Sequence, residues 1–125
     1  KIKWKKWLPD PIEWVDGSGV SRYNMITPRT LIAVLKKIHQ VVGLETIKKY
    51  FSKISNLGTQ EDFKHIEVYA KTGSLRHNHN LSGYWKSEKG NIYVFSIMAN
   101  HFNSTSSEIS EGINELLRQF QKKLK

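Results

Sequence analysis

Cysteine is absent from this sequence of 125 residues. That excludes disulfide cross-links and thiolate chemistry, and it fits an oxidising compartment as well as a reducing one. No apolar run approaches the roughly 20 residues that a membrane-spanning helix needs. No internal repeat or low-complexity tract is visible. Acidic side chains are in short supply: 11 Asp and Glu stand against 20 Lys and Arg, for a net charge of +9. Such a balance favours anionic partners, whether nucleic acid, phospholipid headgroups or cell-wall polymers. The basic residues are spread along the chain, however, with small clusters only at "KIKWKK" and "QKKLK". A solvated basic face accounts for them, and no nucleic-acid partner is expected. No signal peptide is recognisable in the opening stretch "KIKWKKWLPDPIEW", which starts abruptly, as a piece of something longer would.

What is present suffices for one domain with a modest core, spanning 1–125. "LPDPIEWVDGSGVSRYN" reads as extended chain followed by a tight loop. Thr27 and Pro28 then suit the cap and first position of a helix, and Leu31, Ile32, Leu35, Ile38 and Val42 form its apolar stripe until Gly43 ends it. Leu44, Ile47, Phe51 and Ile54 mark a second amphipathic helix closing near "SNLG".

Beyond Gln60 the period changes. Ile66, Val68 and Ala70 alternate with Glu67, Tyr69 and Lys71, as in a half-buried strand. "NLSGYWKS" predicts a second strand, and "EKGN" a hairpin turn in which Gly90 supplies a positive φ. "IYVFSIMAN" is apolar on both faces, so it is expected to be central and covered. Thr105 and Glu108 make a capping box ahead of a long helix with Ile109, Ile113, Leu116, Leu117, Phe120 and Leu124 on its apolar side. The fold class is therefore α+β: an antiparallel sheet of three strands with helices packed on it.

Lys71-Thr72-Gly73 falls where the first strand leaves the sheet. An ammonium there holds an anionic group and polarises a neighbouring hydroxyl. The Thr72 hydroxyl suits a carboxylate, and Gly73 lets a substrate backbone lie against the strand as an added strand. The Ser74 N–H is placed to meet a developing oxyanion. A tripeptide alone is also compatible with an exposed strand end and a glycine turn.

The order of neighbouring motifs narrows this. "DGSGVSR", "AKTGSL", "LSGYW" and "IYVFSIMAN" follow one another in that sequence. The succession resembles the C-terminal part of the low-molecular-mass class C penicillin-binding proteins, the D-alanyl-D-alanine carboxypeptidase/endopeptidases. Members typically carry a DGSGLSR-type box, then KTGTL, then LSGY, then an apolar strand of the VFSxMxN kind. The resemblance runs from Trp14 to the last helix, with Val20 where Leu is usual and Ser74 where Thr is usual. Serine keeps the hydroxyl but loses the methyl that restricts its rotamer.

One feature of the family is missing. No serine here is followed three residues later by lysine, and there is no Ser-x-Asn. In the family both motifs lie N-terminal to the DGSG box. The resemblance thus implies one wall of a cleft in a partial serine β-lactamase/DD-peptidase fold, without the nucleophile. That wall alone is expected to hydrolyse nothing, because an attacking hydroxyl needs an adjacent base.

Carried across residue by residue, the resemblance gives Lys71 the stabilisation of a bound anion. It gives Thr72 and Ser74 the terminal carboxylate of a peptidoglycan stem peptide or β-lactam, and the Ser74 N–H a place in the oxyanion hole. Gly73 completes the substrate-binding strip. Asp16, Gly17, Ser18 and Gly19 are expected to form a structural turn supporting the cleft, with no base at helical spacing to make Ser18 a nucleophile.

The resemblance implies no cofactor, an extracytoplasmic or periplasmic setting, and packing against the missing N-terminal part of the same enzyme. Lacking that part, the sheet's face or edge is expected to be uncovered and to favour self-association.

Other candidates are weaker. His77 and His79 in "RHNHN" have no Cys or carboxylate placed to complete a metal site, so a polar turn joining the motif strand to its neighbour is expected and no metal is. His101 reads as a loop residue. Trp4, Trp7 and Trp14 interleave with lysines, which suits a stacking surface, but apolar anchors for the missing half are the simpler account. A second class of function remains open: a non-catalytic basic module on the same scaffold that binds peptidoglycan or nucleic acid.

Overall fold

The computed structural model describes residues 7–55 and 66–124. Trp4, the "KIKWKK" cluster and most of "SNLG" lie outside those residues. The elements run α1 (Pro28–Tyr50), β1 (Ser52–Lys53), β2 (Glu67–Leu75), β3 (Asn78–Lys86), β4 (Ile92–Asn100) and α2 (Ser106–Leu124). The strands form one antiparallel sheet in the order β1-β2-β3-β4. The sheet thus has four strands rather than three, the addition being the two-residue β1.

Local chemistry sets the helix ends. The Thr30 N–H donates to Thr27 Oγ1 at 3.1 Å, with Pro28 opening α1. Thr27 in turn donates to Asp10 Oδ2 at 2.6 Å, and Arg29 pairs with the same carboxylate, so the cap also ties down the incoming chain. Gly43, at φ 72 and ψ 167, breaks the helical backbone and kinks α1, as expected of a glycine in a region other residues avoid. At α2 the capping box is complete: Glu108 accepts from the Thr105 N–H at 2.8 Å and from its hydroxyl at 2.9 Å, while its own N–H donates to Thr105 Oγ1 at 3.2 Å. These bonds, the backbone one foremost, hold the Glu108 carboxyl below its usual range.

The sheet is covered on both faces. On one, Ile66, Val68, Ala70, Leu81 and Trp85 pack with Ile113 and Leu117 of α2. On the other, Tyr84 packs with Leu35 and Ile47 of α1, flanked by Leu31, Ile38, Phe51 and Val94. The Tyr84 ring is completely buried, and its hydroxyl donates to the Leu35 carbonyl at 2.7 Å. Lys48 of α1 pairs with Glu67 of β2 at 3.2 Å and lies 5.6 Å over the Tyr69 ring.

Five sequence expectations are corrected. The second helix does not continue to Ile54. Phe51 turns extended, at φ −101 and ψ 131, because its ring packs edge-on against Tyr84 at 5.3 Å. Ile54 then donates to the Val68 carbonyl at 2.9 Å and joins the α2-side core. Strand β4 is a border strand among the described residues, not a central one. It is apolar on both faces because Val94 meets the α1 cluster while Tyr93, Phe95 and Ile97 meet the α2 cluster. Tyr69 is buried along with Val68 and Ala70, since helices cover both sides of β2 at that end. On α2, Leu116 and Phe120 remain exposed and Gln121 takes the buried position one turn after Leu117. Val42 on α1 is also exposed.

Candidate functional site

The motif strand has one covered half and one open half. Strand β1 pairs with β2 only at Tyr69 and Ala70. From Lys71 to Leu75 the same border has no partner strand among the described residues, and all five residues are exposed. The Ile54 N–H donates to the Val68 carbonyl, so even-numbered residues of β2 aim their main-chain groups at this border. By strand alternation the N–H and C=O of Thr72 and Ser74 point out of the sheet, unused by β3. That is a template for an extended peptide to join as a further strand.

Side chains alternate in the same way. Thr72 and Ser74 project on the face that α2 covers farther along, and Lys71 and Gly73 on the opposite one. Two hydroxyls two residues apart on one side of an open strand are spaced to grip the two oxygens of a single carboxylate. Lys71 is exposed and donates from Nζ to the Thr72 carbonyl at 2.5 Å. No carboxylate pairs with it among the described residues. The structural ion pair on this strand joins Glu67 to Lys48 of α1: hydrogen bonds to Glu45 and then to Glu67 raise the ammonium's pKa, and the bond from Lys48 lowers the Glu67 carboxyl's.

The two glycines of "AKTGSLRHNHNLSGYW" differ in purpose. A Cβ on Gly73 would meet nothing within 4 Å among the described residues, so nothing in their packing demands glycine there. A Cβ on Gly83 would stand 2.1 Å from the Tyr69 carbonyl oxygen, so that glycine serves the sheet itself.

Asp16 organises the other motif loop. Its Oδ1 accepts from Ser18 Oγ at 3.0 Å and from the Gly19 N–H at 2.9 Å, and its Oδ2 accepts from the Ser21 N–H at 3.0 Å. Asn24 closes the loop from the far side: its Oδ1 accepts from the N–H groups of Val15 and Asp16, and its Nδ2 donates to the Asp16 carbonyl. Partial desolvation pushes the Asp16 carboxyl up, but the bonds from Gly19, Ser18, Asn24 and Ser21 together hold it below the ordinary range. Ser18 spends its proton on the Asp16 carboxylate, which the loop's N–H groups already hold, and no lysine or histidine hydrogen-bonds Ser18 among the described residues. No hydrogen bond or ion pair joins Asp16–Gly19 to Lys71–Ser74 among the described residues. The loop instead rims an apolar groove of about 280 Å³ formed with Ile12, Trp14, Met25, Leu31 and Val34. No group of three metal-ligating side chains occurs among the described residues.

The histidine stretch differs from its expected form. The turn is confined to Arg76 and His77, the latter at φ 62, and β3 already begins at Asn78. His79 is therefore a strand residue paired directly with Ser74, and its Nδ1 lies 2.8 Å from Ser74 Oγ. The His77 ring turns the other way, with Nδ1 2.9 Å from the Phe102 carbonyl. His101 is an exposed bend residue, as expected. The Ser74–His79 contact was not legible from spacing, because it depends on the turn being only two residues long.

Comparison with known proteins places this geometry in context. Residues 10–120 match the model of the D-Ala-D-Ala carboxypeptidase 3 (S13) family. The chain is 31% identical to penicillin-sensitive carboxypeptidase A of Dictyostelium discoideum, over 82% of this chain and 22% of that protein. It is 30% identical to D-alanyl-D-alanine carboxypeptidase DacB of Haemophilus influenzae, over 87% of this chain and 24% of that protein. The sequence thus spans about a quarter of the length of these relatives. With the family match covering most of its residues, the chain belongs to the D-Ala-D-Ala carboxypeptidase 3 (S13) family.

Proposed function

We propose that this chain is the C-terminal portion of the catalytic domain of a serine-type D-Ala-D-Ala carboxypeptidase, and that it supplies the Lys71-Thr72-Gly73-Ser74 wall of the active site. The observation that carries this reading is the open, exposed half of β2. There the main-chain groups of Thr72 and Ser74 face outward, and the Lys71 ammonium has no carboxylate partner among the described residues. The stem peptide lies along this border as an added strand. Thr72 and Ser74 hold its terminal carboxylate through their hydroxyls, and Lys71 stabilises the anion electrostatically. A serine from another part of the parent attacks the carbonyl between the two D-alanines. The Ser74 N–H takes part of the oxyanion's charge, the terminal D-alanine leaves, and water releases the acyl-enzyme. A β-lactam acylates the same serine.

The setting is extracytoplasmic, where peptidoglycan is found. The remainder of the parent covers the free border of β4 and the exposed apolar residues Trp14, Val20, Tyr23 and Met25. Without it the chain self-associates, and sedimentation at increasing concentration reads this directly.

Labelled penicillin tests the main reading. The full-length gene product becomes covalently labelled and hydrolyses a D-Ala-D-Ala peptide, while the 125-residue chain does neither. Labelling of the short chain would mean that the nucleophile lies within it. Failure of the full-length product on both counts would remove the carboxypeptidase reading.

A further inference from the structure

His79 is used by none of the steps above, yet it is bonded to one of their residues. Its position follows from the register: Ser74 and His79 are opposite each other, and because Ser74 aims its main-chain groups outward this is a pair without ladder bonds. In such pairs the side chains approach most closely. His79 Nδ1 lies 2.8 Å from Ser74 Oγ, and Nε2 lies 3.4 Å from Ser110 Oγ on α2.

The tautomer follows from where Ser110 spends its proton. Its hydroxyl donates to the Ser106 carbonyl at 2.8 Å, so it offers only lone pairs to the ring. Nε2 of a neutral His79 therefore carries the hydrogen, and Nδ1 is bare. A bare Nδ1 accepts the Ser74 proton, which turns the lone pairs of Ser74 outward. That polarity is wrong for a carboxylate. Once His79 is protonated, Nδ1–H donates to Ser74 Oγ instead, and the Ser74 O–H is free to donate to the ligand.

We infer that His79 is a positioning residue whose charge state sets the direction of the Ser74 hydroxyl, so that gripping a terminal carboxylate at this strand draws a proton onto His79. The inference rests on the assignment of Ser74 to the carboxylate, made above, and adds the control of that contact.

The ring's neighbours are few. Ala99 is its neighbour on β4 and Ser110 on α2. No carboxylate pairs with it among the described residues. Glu108 is held by Thr105, Glu111 is exposed, and the His77 ring is turned to Phe102. Lys71 projects from the opposite face of β2.

The test measures KM and kcat of the full-length gene product between pH 5.5 and 8.5 on an N-acylated peptide ending in D-Ala-D-Ala, beside the same peptide ending in a carboxamide. Wild-type KM for the acid rises with pH, by up to about tenfold per pH unit, while the carboxamide shows no such rise. His79→Asn keeps an amide at the Nδ1 position, which holds Ser74 without titrating, so its KM is low and flat with pH. His79→Gln carries its amide at the Nε2 position and leaves Ser74 unheld, so its KM is raised by about tenfold at pH 6.

Identical KM profiles in the three proteins would overturn the inference while leaving the carboxypeptidase reading intact. Absence of hydrolysis by the wild type at every pH would overturn both. If either variant fails to fold, ¹⁵N resonances of the wild-type ring decide the matter. Binding of the acid must move Nδ1 to its protonated position, and an unmoved Nδ1 rules the inference out.

Discussion

Gly83 faces Ala70 across the β2–β3 ladder so closely that a Cβ on Gly83 would stand 2.6 Å from the Ala70 Cα. That contact lies where the two halves of β2 meet. Ala70 is the last residue of β2 that β1 covers, and Lys71 is the first on the open half. Gly83→Ala forces main-chain atoms apart at this point, where no flexible side chain can yield. The expected loss is about 3 kcal/mol or more, at the upper end of overpacking effects, read as a lowered midpoint in urea. Because the strain falls on the root of the motif strand, penicillin acylation of the full-length product falls with it.

Gly73→Ala separates binding from folding. The added methyl meets no atom of the described residues within 4 Å, and removing glycine restricts the unfolded state. Stability therefore holds or rises by up to about 1 kcal/mol. A peptide lying along the border would be displaced by the methyl, and acylation of the full-length product by penicillin slows by roughly ten- to a hundredfold. Normal melting with impaired acylation is the expected pair of results, and unimpaired acylation would show that no ligand passes over Gly73.

Much of this framework was readable in advance, and the physical reasons separate what was from what was not. Thr27 with Pro28, Thr105 with Glu108, and the Gly90 hairpin each depend on residues a few positions apart, so local chemistry sufficed. Phe51 and Ile54 misled because they continue the helical spacing of Ile47, while tertiary contacts with Tyr84 and Val68 draw them into extended chain. Apolarity on both faces of β4 signalled two covering helices and said nothing of how many neighbours it pairs with. Lys71, Thr72, Gly73 and Ser74 were legible as a strip because they are consecutive. His79 was not, because its partnership with Ser74 exists only across the sheet.

Tyr84 locks α1 onto the sheet through a single polar atom in an apolar cluster. Tyr84→Phe keeps the ring and its edge-on contact with Phe51 but removes the bond to Leu35, at an expected cost of about 1 kcal/mol. Tyr84→Ala empties the cluster and costs roughly 3–5 kcal/mol. Burial pushes the Tyr84 hydroxyl up to about 12 from an ordinary 10.0. A raised value means that the native state favours the protonated form. Stability from this group is complete below pH 10 and declines as pH rises toward 12. Alkaline melts of wild type and Tyr84→Phe should therefore converge over that range.

Asp10 gives the opposite dependence at the acid end. The hydrogen bonds from Arg29 and then Thr27 lower its carboxyl from 3.8 to about 2. A depressed value means that the native state favours the ionised form, so the contribution is present above about pH 4 and lost as pH falls toward 2. Asp10→Asn removes that dependence and leaves the Thr27 cap and Arg29 without their shared acceptor charge. Thermal melts between pH 2 and 6 should show the wild type losing stability on acidification more steeply than the variant. Both curves should meet near pH 2, where the wild-type carboxyl has taken up its proton. Parallel curves throughout would mean that the Arg29–Asp10 pair, with its guanidinium largely in solvent, contributes nothing to holding the chain entering α1 against that helix.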